Sequence, residues 1–314
     1  MIVTGKGGTG KTTVAAALAV AGARAGRRVL VAEVGRDEQI ARLLAPEPAQ
    51  PVGYAGRDLL PGVRGLHLEP FAALAEYLSL QLGLRPLVDL VIRNQGFRQL
   101  MNAAPGWREL ITLGKVWHLE QMEEAPGRPR YDLIVVDAPA TGHGVTFLDA
   151  PRVVVSAVRA GPLRRQAGRV EALLEDPARC VLLPVALAEE LPTRETAELV
   201  ERLKSQVGIA VDRVVVNGIV PFPFPPGLED LDARLADLEP ELSLGALPPP
   251  FVLARCAAHL RARAALNRRY AEEIRERTGL PIVPLPFLSQ GVRGPEELLL
   301  LGERLLGAPG GALP

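Results

Sequence analysis

Apolar residues fall in short runs, each closed by Gly, Pro or charged positions, and between the runs the apolar positions recur at helical spacing. Met1 to Val3 reads as a strand, Thr12 to Ala25 as an alanine-rich helix, and Arg28 to Glu33 as a fully buried strand. Gly35 to Leu44 returns to helix. Pro46 to Pro61 is rich in Pro and Gly and reads as loop, followed by a short strand over Leu66 to Pro70. Phe71 to Glu124 is helical by pattern, with breaks near Pro86 and Pro105-Gly106. Its apolar positions Leu74, Tyr77, Leu78 and Leu82, then Leu87, Leu90 and Val91, lie at helical intervals. Tyr131 to Val136 is the next buried strand and ends in Asp137. Helix over Leu163 to Leu174, strand over Cys180 to Ala186, helix over Pro192 to Ser205 and strand over Asp212 to Asn217 continue the alternation. Phe222 to Pro226 is a Pro/Phe loop and Phe251 to Arg277 a long helix. Pro281 to Leu285 is the last strand and Pro295 to Leu306 the closing helix. Buried strands alternating with helices predict an α/β fold with a doubly wound, mostly parallel sheet. Residues 1–314 form one domain in this reading, with a helical insert at 71–126 and no internal repeat.

Between the first strand and the first helix stands Gly5-Lys6-Gly7-Gly8-Thr9-Gly10-Lys11-Thr12-Thr13, a P-loop pattern in the strand–loop–helix context that it needs. Gly7, Gly8, Thr9 and Gly10 let the backbone wrap a phosphate with N–H groups pointing inward, and the helix N-terminus adds partial positive charge. Lys11 is placed to reach the β- and γ-phosphates, Thr12 to ligate Mg²⁺ and Thr13 to contact the α-phosphate. Lys6 is a second lysine within the loop. The chain has only four lysines, Lys6, Lys11, Lys115 and Lys204, against arginine elsewhere, so the loop positions point to a need for a compact ammonium. Met1 lies four residues before Gly5, so either the start lies upstream or this strand is short.

Composition narrows the partners. The 314 residues are 48% apolar with zero formal net charge, which leaves no global field favouring nucleic acid or an anionic membrane. Cys180 and Cys256 stand far apart, suggest neither a disulfide framework nor a zinc site, and are expected as buried small apolar residues in a reducing cytoplasm. No apolar run reaches membrane-span length. The run Val14 to Ala23 has the look of a signal-peptide core, but the P-loop before it explains it as a buried first helix.

Asp137, at the end of a hydrophobic strand, stands where a carboxylate holds a Mg²⁺-bound water beside Thr12. It opens Asp137-Ala138-Pro139-Ala140-Thr141-Gly142-His143. The lysine-bearing loop resembles the deviant Walker A of the dimerising nucleotide-switch ATPases. Together with Asp-x-x-x-Thr-Gly-His, it resembles the arsenite-pump and tail-anchored-protein targeting ATPase family, labelled anion-transporting ATPases. Asn217 matches the family asparagine that reads adenine; Pro286-Phe287 matches the loop that covers the base, and Gly291 to Gly294 its sequel. The resemblance spans most of the chain and is weakest at 45–125 and 220–275. It implies an ATPase using ATP and Mg²⁺, a homodimer or a heterodimer with a related subunit, and Lys6 reaching the partner's nucleotide. It also implies a switch II over 137–143 coupled to a helical client region.

Departures from the family qualify these expectations. Where the family carries the switch I aspartate that positions the attacking water, this chain has Gly35. Two readings of Glu33 stand side by side: an acidic group acting through a magnesium water, and a strand-end charge with no special role. Asp37 reads as a surface helix-start residue. The family's zinc-binding Cys-x-x-Cys is absent, and two isolated cysteines supply no arsenite cluster. His67, His118 and His259 read as structural or surface residues, and His143 as a member of switch II without a necessary catalytic role. In the insert, Leu80, Leu84, Leu87, Val91, Ile92, Phe97 and Met101 read either as a groove for an apolar helix of a client, such as a membrane protein, or as ordinary helical core. Three functions compete: a switch ATPase slow in isolation, a regulatory subunit with little hydrolysis, and a small-molecule kinase. The paired lysines and the Asp-x-x-x-Thr-Gly-His segment disfavour the last.

Overall fold

Runs such as Val29–Val34 and Val181–Leu187 are apolar on both faces, so they are stable only between two layers of helix, and that is where they lie. A computed structural model describes residues 1–35, 38–45, 50–83, 85–103, 106–140, 144–221, 224–225, 227–239, 242 and 244–307. The first half contains β1 (Ile2–Gly5), α1 (Lys11–Arg24), β2 (Val29–Val34), α2 (Ile40–Leu44), β3 (Arg57–Leu60) and β4 (Val63–Leu68). Next come α3 (Pro70–Leu82), α4 (Arg85–Arg93), α5 (Gln95–Ala103), α6 (Trp107–Glu120), a hairpin of β5 (Glu123–Ala125) and β6 (Arg128–Pro129), and β7 (Leu133–Asp137). The second half has α7 (Gly144–Ala157), α8 (Pro162–Glu175), β8 (Val181–Leu187), α9 (Glu190–Arg202) running into a π-turn at Leu203–Val207, β9 (Ala210–Val211) and β10 (Val214–Ile219). It closes with α10 (Leu231–Ala236), α11 (Pro250–Thr278), β11 (Ile282–Pro286) and α12 (Pro295–Leu306).

The main sheet has the order β11-β10-β8-β1-β7-β2-β4-β3, with β9 beside β8. It is parallel except for the edge strand β3, which runs antiparallel to β4. The doubly wound, mostly parallel sheet expected from the alternation is therefore present. β1 sits between β7 and β8, so its C-terminal end opens at the middle of the sheet, in the crevice where such sheets bind ligands.

Strand alternation divides the core. Val3, Val31, Val135 and Val185 point to the layer of α1 and α12, whereas Ile2, Leu30, Val136 and Leu182 point to the layer of α6, α7 and α8. Helix α1 is a run of small residues, and its length from Val14 to Gly22 is buried. α12 closes over it at Gly302, where a Cβ would stand 2.3 Å from the Ala17 carbonyl oxygen and 2.6 Å from the Ala21 methyl. The insert has a small core of its own: Phe71, Leu74, Val88, Ile92 and Trp107, with the Phe71 and Trp107 rings 4.9 Å apart at 60°. Lys115, from α6, donates to both oxygens of Glu76 on α3 at 2.8 and 2.7 Å, and Tyr54 donates to the same carboxylate.

Several elements differ from their sequence expectations. The helix over Gly35 to Leu44 begins only at Ile40. The Pro/Gly-rich loop Pro46 to Pro61 contains β3, short and at an edge where flanking Gly and Pro do no harm. Helix in the insert ends at Glu120; Glu123–Ala125 is a strand. An added break at Asn94 arises because its side chain accepts from the Phe97 N–H and caps α5. Helix α7 has no counterpart in the periodicity reading. It starts at a glycine, contains Pro151 and carries the β-branched run Val153–Val155, yet its packing on α6 and α8 prevails over propensity. Cys180 is buried as expected, but Cys256 is exposed, because it falls on the solvent side of α11.

Candidate functional site

The P-loop leaves β1 at Gly5, whose backbone (φ 153°) runs so close to β8 that a Cβ would stand 2.2 Å from the Val185 carbonyl oxygen. It enters α1 at Gly10 in the left-handed conformation, φ 90° and ψ 26°. The Lys6 carbonyl is the internal hub. It accepts from the Thr9 hydroxyl at 2.9 Å and from the Lys11 ammonium at 3.0 Å. Burial lowers the Lys11 pKa, and the nearby Asp137 carboxylate opposes that shift. A phosphate chain in the loop would offer Lys11 a stronger, charge-assisted acceptor than a peptide carbonyl. Gly7 and Gly8 carry no side chain over the loop's mouth, and Thr13 lies half-buried in the first turn of α1.

Asp137 ends β7 one strand away. Its Oδ2 accepts from the Thr12 hydroxyl at 2.6 Å. The residue is 5% exposed, and its Oδ1 is buried with no hydrogen-bond partner. Burial raises the carboxyl's pKa; the Thr12 bond and Lys11 pull the other way. A buried, half-satisfied carboxylate beside a threonine hydroxyl at the foot of a P-loop fits a hard divalent cation, which takes oxygen ligands and would supply the missing partner. The residues present thus fit Mg²⁺, through Thr12 and Asp137.

Glu33 lies beside Asp137 in the register of β2 and β7. It is also buried, and its pKa is raised, first by burial and then, in smaller measure, by Asp137 and Glu38; backbone hydrogen bonds from Gln39 and Ile40 oppose this. Both oxygens are engaged: Oε1 accepts from Gln39 N–H at 2.8 Å and Oε2 from Ile40 N–H at 3.2 Å. Glu33 therefore fixes the start of α2, which is why that helix begins five residues later than periodicity suggested. Gly35 is exposed, and a Cβ built there meets nothing within 4 Å. Asp37 and Thr141-Gly142-His143 lie outside the described residues.

Lys6 projects from the loop and ion-pairs with Glu195 on α9; its side chain is 45% exposed. Sequence reasoning missed Glu195, one of many glutamates on that helix, with nothing in its spacing to mark it. Asn217, at the end of β10, donates from Nδ2 to the Thr9 carbonyl at 2.9 Å. Pro286 ends β11 next to it. The Phe287 N–H donates to the Ile219 carbonyl at 2.8 Å, and its side chain is 58% exposed. Thus Lys6, Gly7, Gly8, Thr9, Gly10, Lys11, Thr12, Asp137 and Asn217 meet in one corner, with Phe287 beside Asn217's strand. Glu33 borders this corner but faces its own backbone partners.

Within the insert, Ile92 is buried, and Phe97 and Met101 pack against its core, while Leu80 and Val91 are exposed. The Leu87 side chain and Leu84 are outside the described residues. No described helix is long and apolar enough to cross a membrane.

Comparison with known proteins places this geometry. The CobQ/CobB/MinD/ParA nucleotide binding domain family matches residues 1–290. "ATPase BagA" of Mycobacterium tuberculosis (strain ATCC 25618 / H37Rv) is 36% identical over 228 residues, covering 70% of this chain and 65% of that protein. "Arsenical pump-driving ATPase" of Escherichia coli is 26% identical over 248 residues, covering 70% of this chain and 39% of the relative. "ATPase GET3" of Malassezia globosa is 24% identical over an alignment of 351 residues, covering 96% and 89%. The match thus spans somewhat under two thirds of the mycobacterial protein's length. A P-loop with paired lysines, a strand-end carboxylate bound to its threonine and these relatives agree: the chain belongs to the CobQ/CobB/MinD/ParA nucleotide-binding-domain family, on its arsenite-pump and GET3-like side.

Proposed function

We propose that this protein is a Mg²⁺–ATP-dependent switch ATPase that dimerises and couples its nucleotide state to a protein partner through the helices of residues 71–126. The observation that carries the reading is the buried, unpartnered Oδ1 of Asp137, 2.6 Å behind whose sister oxygen stands the Thr12 hydroxyl. Bound there by Thr12 and Asp137, Mg²⁺ would neutralise charge developing on the β- and γ-phosphate oxygens. The chain's own groups do the rest. Gly7 to Thr13 orient the phosphates, Lys11 leaves the Lys6 carbonyl for the phosphate chain, and Asn217 and Pro286-Phe287 hold adenine. The names of the relatives, ATPases all, support ATP as substrate.

Lys6 acts across the dimer in this reading. Its pairing with Glu195 is a resting position that it leaves to reach the partner's nucleotide. The partner is a second copy or a related subunit, and the client an apolar helix, as in a membrane protein, met by exposed residues such as Leu80 and Val91. Zero net charge argues against nucleic acid, the separation of Cys180 and Cys256 against an arsenite or zinc role, and the cytoplasm is the proposed compartment.

A second reading has its own support. Gly35 offers no side chain to position water, and both Glu33 oxygens are taken by α2. A nucleotide-binding regulatory subunit with little hydrolysis, completed by a sibling that carries the aspartate, satisfies the same facts. Calorimetry and sedimentation test the common core. Lys11→Ala removes a charge-assisted contact worth about 1.5–3 kcal/mol, so ATP affinity should fall at least about tenfold. Lys6→Ala should bind ATP nearly normally yet lose the ATP-driven shift in sedimentation. Unchanged affinity in Lys11→Ala refutes the nucleotide site; a wild type whose sedimentation ignores ATP, alone or with a related subunit, refutes the trans lysine.

A further inference from the structure

Far from the nucleotide corner, three helices enclose a cleft. On α3, Ala73, Tyr77 and Leu80 form one stripe at helical spacing, and on α6 Leu110, Gly114 and Trp117 form another. Gln166 and Arg169, one turn apart on α8, complete the walls. Gly114 opens a gap in the α6 stripe. A Cβ there would stand 3.6 Å from the Gln166 amide nitrogen, an ordinary contact, and the backbone is plain helix, so neither crowding nor conformation calls for glycine. Glycine inside a helix is destabilising against alanine, and what it leaves here is space. The cleft measures about 120 Å³.

Its charges do not cancel. Glu76 is the only carboxylate among the lining residues, and it is already engaged. Lys115, with a side chain 12% exposed, donates to both of its oxygens, and Tyr54 donates to the same group. Burial would raise the Glu76 pKa, but the hydrogen bonds from Lys115 and Tyr54 outweigh it and hold the group ionised. Lys115 balances that charge, which leaves Arg169 and His118. Neither of their side chains, nor the Gln166 amide, has a hydrogen bond or ion pair among the described residues. The Arg169 guanidinium lies instead over the Trp117 ring, 5.4 Å from its centroid. A guanidinium held over a ring keeps N–H groups at its edge for a planar acceptor.

We propose that this cleft between α3, α6 and α8 is a binding site for a small aromatic carboxylate. Size sets the apolar part: a cavity of about 150 Å³ holds benzene, so a single ring is the largest body this one admits. The ring lies against Trp117, Tyr77 and Leu110, and the carboxylate takes the fork of Arg169, with the Gln166 amide and His118 beside it. Other chemistries fit less well. An inorganic anion leaves the apolar walls bare. An amine meets Arg169 with Glu76 already taken, and a neutral ring leaves Arg169 without an acceptor. No lining residue belongs to the P-loop or to the strand of Asp137, so the proposal stands apart from the nucleotide reading.

The experiment titrates the full chain with benzoate and phenylacetate, and with benzyl alcohol, benzylamine and acetate as controls. Calorimetry on wild type gives affinities. Fluorescence of a Trp107→Phe variant, whose only tryptophan is Trp117, gives the location. Both aromatic carboxylates should change Trp117 emission saturably and raise the thermal midpoint, since a ligand of the folded state stabilises it. Benzyl alcohol should bind at least about tenfold more weakly, the scale of a lost charge-assisted hydrogen bond. Benzylamine and acetate should leave the emission unchanged. Arg169→Met should bring benzoate down to the affinity of benzyl alcohol. Gly114→Leu, which fills the gap with a better helix former, should abolish binding while circular dichroism stays native. Emission and heat unmoved by either carboxylate, or benzyl alcohol matching benzoate, overturn the site. Binding that persists in folded Gly114→Leu overturns its location. If Gly114→Leu does not fold, Arg169→Met decides, and unaltered benzoate affinity there overturns the proposal. Leu80 stands exposed at the rim, so a client helix laid across it would cover the cleft. A neutral leucine-rich helical peptide that shifts Trp117 emission where the carboxylates do not assigns the cleft to a client and overturns the ligand site.

Discussion

Glu33 and Asp137 are neighbours in register on adjacent strands, both buried and both with raised pKa values, yet they are left in opposite states. Asp137 spends one oxygen on Thr12 and keeps the other bare. Glu33 has both oxygens tied to the first N–H groups of α2. Burial and electrostatics hardly separate them; the count of unfilled lone pairs does. A carboxylate with its hydrogen bonds closed anchors its backbone partners, and one with an open, desolvated oxygen has capacity left for a cation or a proton.

The contrast breaks most readily at Asp137. Asp137→Asn should lower steady-state ATP turnover by about a hundredfold or more, the scale seen when one preorganised charge-stabilising group is removed. If turnover and Mg²⁺ dependence survive, the open oxygen has been misread. Gly35→Asp comes next. The site has room for the side chain, and if hydrolysis lacks a water-positioning group, as proposed, a carboxylate here should raise turnover by about tenfold. Should wild type already turn over briskly and lose that activity in Glu33→Gln, the closed carboxylate is catalytic after all and the comparison fails.

Smaller effects sharpen it. Glu33→Ala removes the anchor of α2 and should reduce stability by about 1–2 kcal/mol, read by denaturant titration, with ATP affinity preserved. The pH dependence follows from the raised carboxyls. In the window between the ordinary carboxyl pKa and the raised folded value, the folded state binds more protons than the unfolded, so stability of the empty protein falls as pH rises through it. Mg²⁺–ATP should flatten that slope by stabilising the Asp137 carboxylate. Asp137→Asn should flatten it without ligand, leaving the empty variant about 1 kcal/mol more stable at neutral pH. A steeper slope in the variant contradicts the assignment.

Much of this was legible in the sequence. The loop Gly5 to Thr13, the strand ending in Asp137 and the closing helix Pro295–Leu306 were readable because local pattern and final environment agree. Helix α7 was illegible because its glycine, proline and valines argue locally for something else, and packing on α6 and α8 overrules them. Two facts were beyond any local signal: the Glu195 partner of Lys6 and the Thr9 partner of Asn217. Each joins segments about two hundred residues apart, and only the sheet order brings them together. Glu33 is the intermediate case, since its position marked it but only three-dimensional contacts show its backbone partners, Gln39 and Ile40.

The closure of α12 over α1 bears on how the protein is made. Helix α1 is synthesised well before its cover, with a flank of small residues that Gly302 approaches closely and Leu298, Leu301 and Leu305 pack beside. Its cover is encoded about 270 residues later. At a synthesis rate of about 5–20 residues per second, that interval lasts about 14–54 s. For that time the helix carrying Lys11 is bare on one side, and the nucleotide corner stands on an unfinished wall. The nascent chain is therefore a natural substrate for chaperones until α12 is out.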